Sequence, residues 1–468
     1  DEVLANVTDS IFYQCIADNY SSDQLTSEIE SLYCEGDIRR LTGIEGFTIL
    51  KQLEVNGSQL ESIDEVGALS MLEQLTIHNG SPTFTDLSVL PGLRFLNHLS
   101  LQNGALTTES IQVLADMTQL VHLRLNYNQI DDISVLNVLK DVTYLEFGCN
   151  NVADYSPIGG MTALTDLLIW CAGANQSTDL NWVSELTSLK RFGFEDGGIR
   201  DISAVASLEA LEYLNLQHNE LETLNWGSGQ TNLTEIHLDG NQLQSLDGVQ
   251  QLVNLQQLHA NGNQISDLSA LTSLSSLEVI WLHSNQISDI GPLKNLVNLD
   301  QLVLWDNGVS AIGDTFDAWS NGTYIDLSEN PLVCSELAAA RENQNIEIDF
   351  RSECLPDGDG DGVPDDLDAF PEDPAASRDS DGDGAPDDWN EGYSAEDSTS
   401  GLLLDEAPFD PDLQGDRDQD GVDDSVDLNP DDPVVGRDSD GDGLPDVCDS
   451  ACLSAGYTED DDDDNDNV

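Results

Sequence analysis

The chain is 468 residues long, and 90 acidic against 15 basic side chains leave it a net charge of -75. A polyanion of that strength is repelled by nucleic acid and by anionic membrane, so both are excluded as partners. No run of about 18 apolar residues occurs, so no segment is expected to span a bilayer.

The charge is unevenly spread. Residues 356–468 hold 40 acids and three bases, which marks a domain boundary near residue 356. The chain begins at Asp1 rather than Met, as expected of a mature form whose signal peptide has been removed. Eight cysteines point to an oxidising setting, extracellular or at the cell surface.

Residues 1–34 lack the periodicity that follows and read as a helical N-terminal cap. Asp9 can cap a helix carrying Ile11, Phe12, Cys15 and Ile16, and Ser22 a second one carrying Leu25, Ile29 and Leu32. Cys15 and Cys34 are placed to staple this cap to an irregular strand over residues 32–34.

From residue 35 to 330 one motif recurs about thirteen times. Its first strand position is apolar at Leu53, Leu75, Leu99, Leu123, Leu145, Leu167, Phe192, Leu214, Ile236, Leu258, Ile280, Leu302 and Ile325, with spacings of 22 to 25 residues. A unit this short cannot bury its own apolar face, so the coils must stack and share one core. An asparagine follows the strand in most coils (Asn128, Asn150, Asn219, Asn241, Asn263, Asn285, Asn307 and Asn330), placed to satisfy backbone groups of the next coil. Ser58, Gly80, Gly104, Ala172 and Gly197 interrupt this series, so the first half is expected to be less regular. Cys149 and Cys171 share a register position in consecutive coils and are expected to bond, two buried free thiols being the alternative.

The wording LxxLxLxxNxI resembles the leucine-rich repeat, and the 22-residue version the internalin-type bacterial subfamily. The resemblance implies a solenoid of α/β type, with a parallel concave sheet and a short 3-10 or irregular convex side. Residues 331–355 are similar to the C-terminal cysteine cap of extracellular leucine-rich repeat proteins, which implies a Cys334–Cys354 bond, although the adjacent second cysteine of such caps is missing.

Residues 356–452 form a second, loop-rich repeat. Four segments share one spacing, with ligand positions at Asp357, Asp359, Asp361, Val363, Asp365 and Asp368; at Asp379, Asp381, Asp383, Ala385, Asp387 and Asn390; at Asp416, Asp418, Asp420, Val422, Asp424 and Asp427; and at Asp438, Asp440, Asp442, Leu444, Asp446 and Asp449. Calcium takes six to eight oxygens, and carboxylates at loop positions 1, 3, 5 and 9, a carbonyl at 7 and Asp or Asn at 12 supply them. At least four calcium ions are therefore expected. With the interleaved AFPEDP and LNPDDP the region is similar to thrombospondin type 3 repeats; an acidic disordered linker is the alternative. Cys448 and Cys452 are expected to pair locally, and residues 453–468 read as a solvated acidic tail.

Function should sit on the strand positions that alternate with the core leucines, because folding leaves their identity free. All seven histidines fall on these strands or their edge. Tyr213, His237, His259 and Trp281, beside Asp239, Asn261, His283 and Trp305, form the best ligand patch, since exposed aromatic side chains on a rigid sheet are what interfaces use as anchors. His237, His259 and Asp239 also have the residue types of a transition-metal site, although adjacent-strand histidines are common without metal. No catalytic constellation is present, and the GSG at 227–229 is no nucleophile elbow. The expected function is calcium-dependent recognition or adhesion toward a protein or glycan. The alternative is a self-assembling subunit of a cell-surface filament or extracellular matrix held by calcium.

Overall fold

The structure is a computed structural model, and it describes residues 4–20, 26–81, 83–173, 179–227, 229–319, 322–342, 346–351, 354–405, 408–409, 411, 422, 427–429, 432–438, 443–448 and 450–459. The backbone divides into two compact units. The first comprises residues 1–308, 314–328 and 345–350, and the second residues 309–313, 329–344 and 351–468.

The first unit is an open parallel sheet of 15 strands, hydrogen-bonded strictly in chain order from β1 (Ser31–Glu35) to β15 (Ile346–Asp349). Each of the thirteen apolar strand positions found by spacing pairs with the next one, from Leu53 opposite Leu75 to Leu302 opposite Ile325. One further strand adds at each end, through Leu32 opposite Leu53 and Ile325 opposite Ile348. The coil from Leu258 shows why stacking is required: Ala260, Ile265, Leu268, Leu271, Leu274 and Leu277 all turn inward and are buried. Short 3-10 turns such as Ser269–Leu271 return the chain to the next strand.

From Leu99 to Ile325 each coil leaves its strand through one left-handed residue. His218, Ser284 and Asp306 hold φ of 55, 54 and 57°, and Gly240 and Gly262 occupy the same place at 65 and 62°. A side chain with a Cβ pays about 1–2 kcal/mol for that conformation. The asparagine that follows offsets it. Asn219 Nδ2 donates to the carbonyls of Phe194, Leu216 and Gln217 at 2.7, 3.0 and 3.1 Å, while its Oδ1 accepts from Gly197 and Ile199 N–H at 3.1 and 3.0 Å. Asn241, Asn263 and Asn285 repeat the arrangement. These amides therefore serve their own coil and the preceding one, rather than the following coil as the sequence suggested. The left-handed residue turns the side chain back toward the strand just completed.

The irregularity expected in the first half appears as a register shift between Val55 and Ser58. At Ser58 no amide is available, and its hydroxyl donates to His78 O at 3.1 Å instead. Cys149 and Cys171, both at the left-handed position, are bonded across adjacent coils with Cα atoms 4.7 Å apart.

At the N-terminus, helix α1 (Ser10–Asn19) is capped by Asp9, which accepts from Ile11 and Phe12 N–H and also from Arg39 N–H at 2.8 Å. Cys15 and Cys34 are bonded. The second helix is corrected: among the described residues there only the turn Thr26–Glu28 is helical, and Leu32 lies in β1, where alternation with Cys34 buries both against β2 (Gln52–Ser58). Ser22 and Leu25 lie outside the described residues.

In the second unit, helix α2 (Cys334–Ala340) is tied to Cys354 by a disulfide. Glu336 Oε2 accepts from Ile312 and Gly313 N–H at 2.9 and 2.8 Å. A short helix α3 (Ser450–Ala455) carries Cys452, bonded to Cys448. Among the described residues no helix is long and apolar enough to cross a membrane.

Candidate functional site

Among the described residues, chemistry-bearing side chains gather on the sheet face of the first unit and in the acidic region of the second. The first is a strip on the sheet face across β9 (Tyr213–Asn215), β10 (Glu235–His237), β11 (Gln257–His259), β12 (Val279–Trp281) and β13 (Gln301–Val303). Parallel registration puts His237 opposite His259 and His259 opposite Trp281, so their rings meet at 4.3 Å in each case. The Tyr213 ring leans in from the neighbouring column to 5.4 Å from His237. Two residues further along, His283 and Trp305 stack at 4.3 Å with planes 12° apart.

The residues predicted for this patch divide by role. Trp281, His283 and Trp305 remain partly exposed, as does His237. Asn261 is only 7% exposed, and its Oδ1 accepts from His283 N–H at 3.0 Å, so it braces the next strand. Asp239 does the same for Asn261 N–H at 2.7 Å and also accepts from Gln217 Nε2 at 2.9 Å. His259 is 8% exposed, and burial, with the His237 ring second, lowers its pKa to about 4.

A second aromatic strip lies on strand positions that the spacing placed on the face but that were not singled out as a patch. His98, His122 and Tyr144 stand at one register position in consecutive coils, with ring separations of 5.2 and 4.0 Å, and Arg124 lies 5.0 Å over Tyr144. Its signal was present as the repeated spacing from His98 to His122 to Tyr144. Burial first, then the charges of Arg124 and His98, push the His122 pKa down to about 4. The unfolded imidazole takes a proton near pH 6.5 and the folded one does not, so the stability that the neutral ring contributes is lost as pH falls from 6.5 toward 4. Measured by thermal unfolding, the wild type should lose stability relative to His122→Gln across that window. Parallel pH profiles would contradict this assignment.

The second place is the acidic region. Carboxylate oxygens of Asp357, Asp359 and Asp361 lie within 4.8 Å of one another, as do those of Asp379, Asp381 and Asp383. Oδ2 of Asp359, Asp368 and Asp381 is buried without a hydrogen-bond partner. Burial, with neighbouring carboxylates after it, raises the pKa of Asp359 and Asp381 and pushes Asp368 up to about 6. Crowded, dehydrated carboxylates with free lone pairs are the donor set of a hard divalent cation.

The spacing reading needs three adjustments. The position-nine residues face backbone and arginine: Asp365 accepts from Gly358 N–H, while Asp387 accepts from Ser380 N–H at 2.8 Å and pairs with Arg378 at 2.9 Å. Asn390 reaches across to the first loop, where its amide meets Asp361 Oδ2 at 2.6 Å. In the second loop the additional acid is Asp405, which the spacing did not flag. It is 3% exposed, its N–H bonds Pro386 O at 2.9 Å, and its charge acts on Asp381. Asp416, Asp418, Asp420 and Asp424 of the third loop and Asp440, Asp442 and Asp449 of the fourth lie outside the described residues. Of the remaining positions, Asp438 Oδ2 accepts from Gly443 N–H at 2.9 Å, Asp427 Oδ1 from Asn429 N–H at 2.9 Å, and Asp446 stands 3.8 Å from Arg437. The Arg437–Asp446 pair repeats Arg378–Asp387 in the matching wording RDSDGDG.

Between the loops, Asp373 is a structural pin. Its burial would raise its pKa, but Ser398, Ser400, Ala375 and Thr399 donate to it and hold it down at about 2.

Comparison with known proteins agrees with this architecture. Residues 187–243 match a family model described as leucine rich repeat, and residues 231–273 and 275–318 match one described as leucine rich repeats in two copies. A leucine-rich repeat protein of Leptospira interrogans is 23% identical, with 69% of this chain and 90% of that one covered at a TM-score of 0.59. The plant peptide hormone receptor RGFR1, in complex with RGF2, is 17% identical over 70% of this chain and 60% of its own at 0.52. An internalin from Listeria monocytogenes is 22% identical over 75% and 92% at 0.49. No curated protein matches significantly. At these identities the likeness is one of fold.

Proposed function

We propose that this leucine-rich repeat solenoid is an extracellular recognition protein whose sheet face takes a protein ligand at the strip from Tyr213 to Trp305. The observation that carries the reading is the run of contacting rings from Tyr213 to Trp281 across four adjacent strands, with the separate His283–Trp305 pair two residues further along. Rings held on a sheet lose little freedom on binding, so they contribute apolar contact at low entropic cost. Four disulfides and no free cysteine among the described residues support an oxidising compartment. The plant receptor of the same fold, solved with RGF2, supports a protein or peptide as the class of ligand.

The acidic region is proposed to fold around calcium. Asp357, Asp359, Asp361 and Asp368, with Asn390 beside them, would hold one ion, and Asp379, Asp381 and Asp383 with Asp405 a second. The carbonyls of Val363 and Ala385 are the position-seven donors of the two loops. Calcium there supplies charge neutralisation that lets clustered carboxylates stay together.

A screen of the full chain in calcium against arrayed extracellular proteins and glycans tests the recognition reading. The expected outcome is a protein hit weakened by Trp281→Ala. Hits confined to glycans, or hits indifferent to that substitution, would count against it. Light scattering separates the structural alternative: a recognition protein stays small in calcium, whereas a matrix subunit grows and shrinks again on chelation.

A further inference from the structure

We propose that His237, His259 and Asp239 bind one divalent transition-metal ion of the zinc or nickel type on the sheet face. This goes beyond ligand recognition and needs no partner on the strip, so a failed ligand screen would leave it standing.

Adjacent strands set the two imidazoles side by side, and Asp239 follows His237 by two residues, just past the end of β10. One ring nitrogen from each histidine and one carboxylate oxygen lie within 4.8 Å of one another. Zinc–nitrogen bonds of about 2.0–2.1 Å place tetrahedral ligand atoms roughly 3.3 Å apart, so small side-chain rotations close the set.

Two independent features point to a cation here. First, His259 is more than nine-tenths buried and its Nε2 has no hydrogen-bond partner. A buried polar atom left unpaired costs free energy and calls for an unseen partner. The electron pair of a neutral imidazole nitrogen is what a metal takes.

Second, the surroundings of His237 prepare it as a ligand. Its Nε2 meets Glu235 Oε1 at 2.6 Å, and a carboxylate there favours the tautomer with the proton on Nε2, so that Nδ1 presents its lone pair as an acceptor. That lone pair and Asp239 Oδ2 both face one group, the Gln217 side-chain amide, at 3.2 and 2.9 Å. The amide nitrogen thus puts two N–H bonds toward the acceptors that a cation would bridge. Gln217 competes with the metal for its place, and a rotation of its side chain vacates it.

Two imidazoles and one carboxylate favour zinc, nickel or copper over calcium, which prefers oxygen alone. The set is therefore chemically distinct from the acidic loops. It leaves at least one coordination position open to water or to a side chain of a docked protein.

The test is a cobalt titration of the full chain in millimolar calcium, which occupies oxygen-only sites. One equivalent should produce the intense visible absorption of a four-coordinate nitrogen and oxygen site, and zinc should abolish it. His259→Gln should remove the band, and Asp239→Asn should weaken affinity by at least about tenfold, at unchanged circular dichroism. Gln217→Ala should tighten binding several-fold by removing the competing amide. A purely structural role for these residues would not produce that gain. Absence of the band in the wild type, its persistence in folded His259→Gln, or unchanged or weaker binding in Gln217→Ala would each overturn the proposal.

Discussion

Asn219→Ala should lower the unfolding free energy by roughly 3 kcal/mol, read as a shift of the urea midpoint at constant slope. The amide makes five hydrogen bonds to main-chain groups of two coils and is 5% exposed. Truncation removes the acceptor of the Gly197 and Ile199 N–H groups and one donor from each of three carbonyls, of which Leu216 O keeps Asn241 Nδ2 and Gln217 O keeps Asp196 N–H. The left-handed residue His218 would also keep its strain without the bonds that offset it. Asn298 provides the contrast: it is exposed and makes one bond of 2.9 Å to Ser275 O, so Asn298→Ala should stay within about 0.5 kcal/mol of wild type. Equal effects at the two positions would mean that the amide column does not hold the coils together.

Chelation should open the acidic region while the repeats stay folded. At calcium a hundred times its dissociation constant each site adds about 2.7 kcal/mol to the folded form. Opening then becomes about a hundredfold rarer for every site that must empty. Trypsin provides the readout, because Arg378 and Arg437 stand at the start of two loops, paired with Asp387 and Asp446. Cleavage of the full chain after these arginines should be at least about tenfold faster in chelator than in calcium. Equal rates in both conditions would contradict calcium-linked folding.

The solenoid was legible in the sequence because its two signals are periodic. A buried apolar residue every 22 to 25 residues has one parallel registration that keeps all of them inside, and the strand pairing adopts it from Leu53 to Ile325. The half-cystines at Cys149 and Cys171 followed from the same count. What periodicity did not convey was direction and exchange between units. The backward reach of the asparagines depends on a left-handed φ at the residue before them, and nothing in the identities of His218, Ser284 or Asp306 requires it.

The acidic loops show the same limit. The shared spacing located Asp357, Asp359 and Asp361 together, but it could not reveal that Asn390 serves the preceding loop or that Asp405 approaches from 18 residues beyond Asp387. On the sheet face, composition identified the rings. The burial of Asn261 and the bracing role of Asp239 depend on backbone amides that become neighbours only after stacking.

The affinity of the strongest arrayed protein for a Trp281→Ala, Trp305→Ala double variant tests the recognition reading most directly. Loss of two ring anchors from one strip should cost about 2 kcal/mol or more, at least about 30-fold in Kd. A control with Val253→Ala and Val297→Ala, exposed side chains outside the strands, should bind as the wild type does. Unchanged affinity in the tryptophan variant would contradict the account.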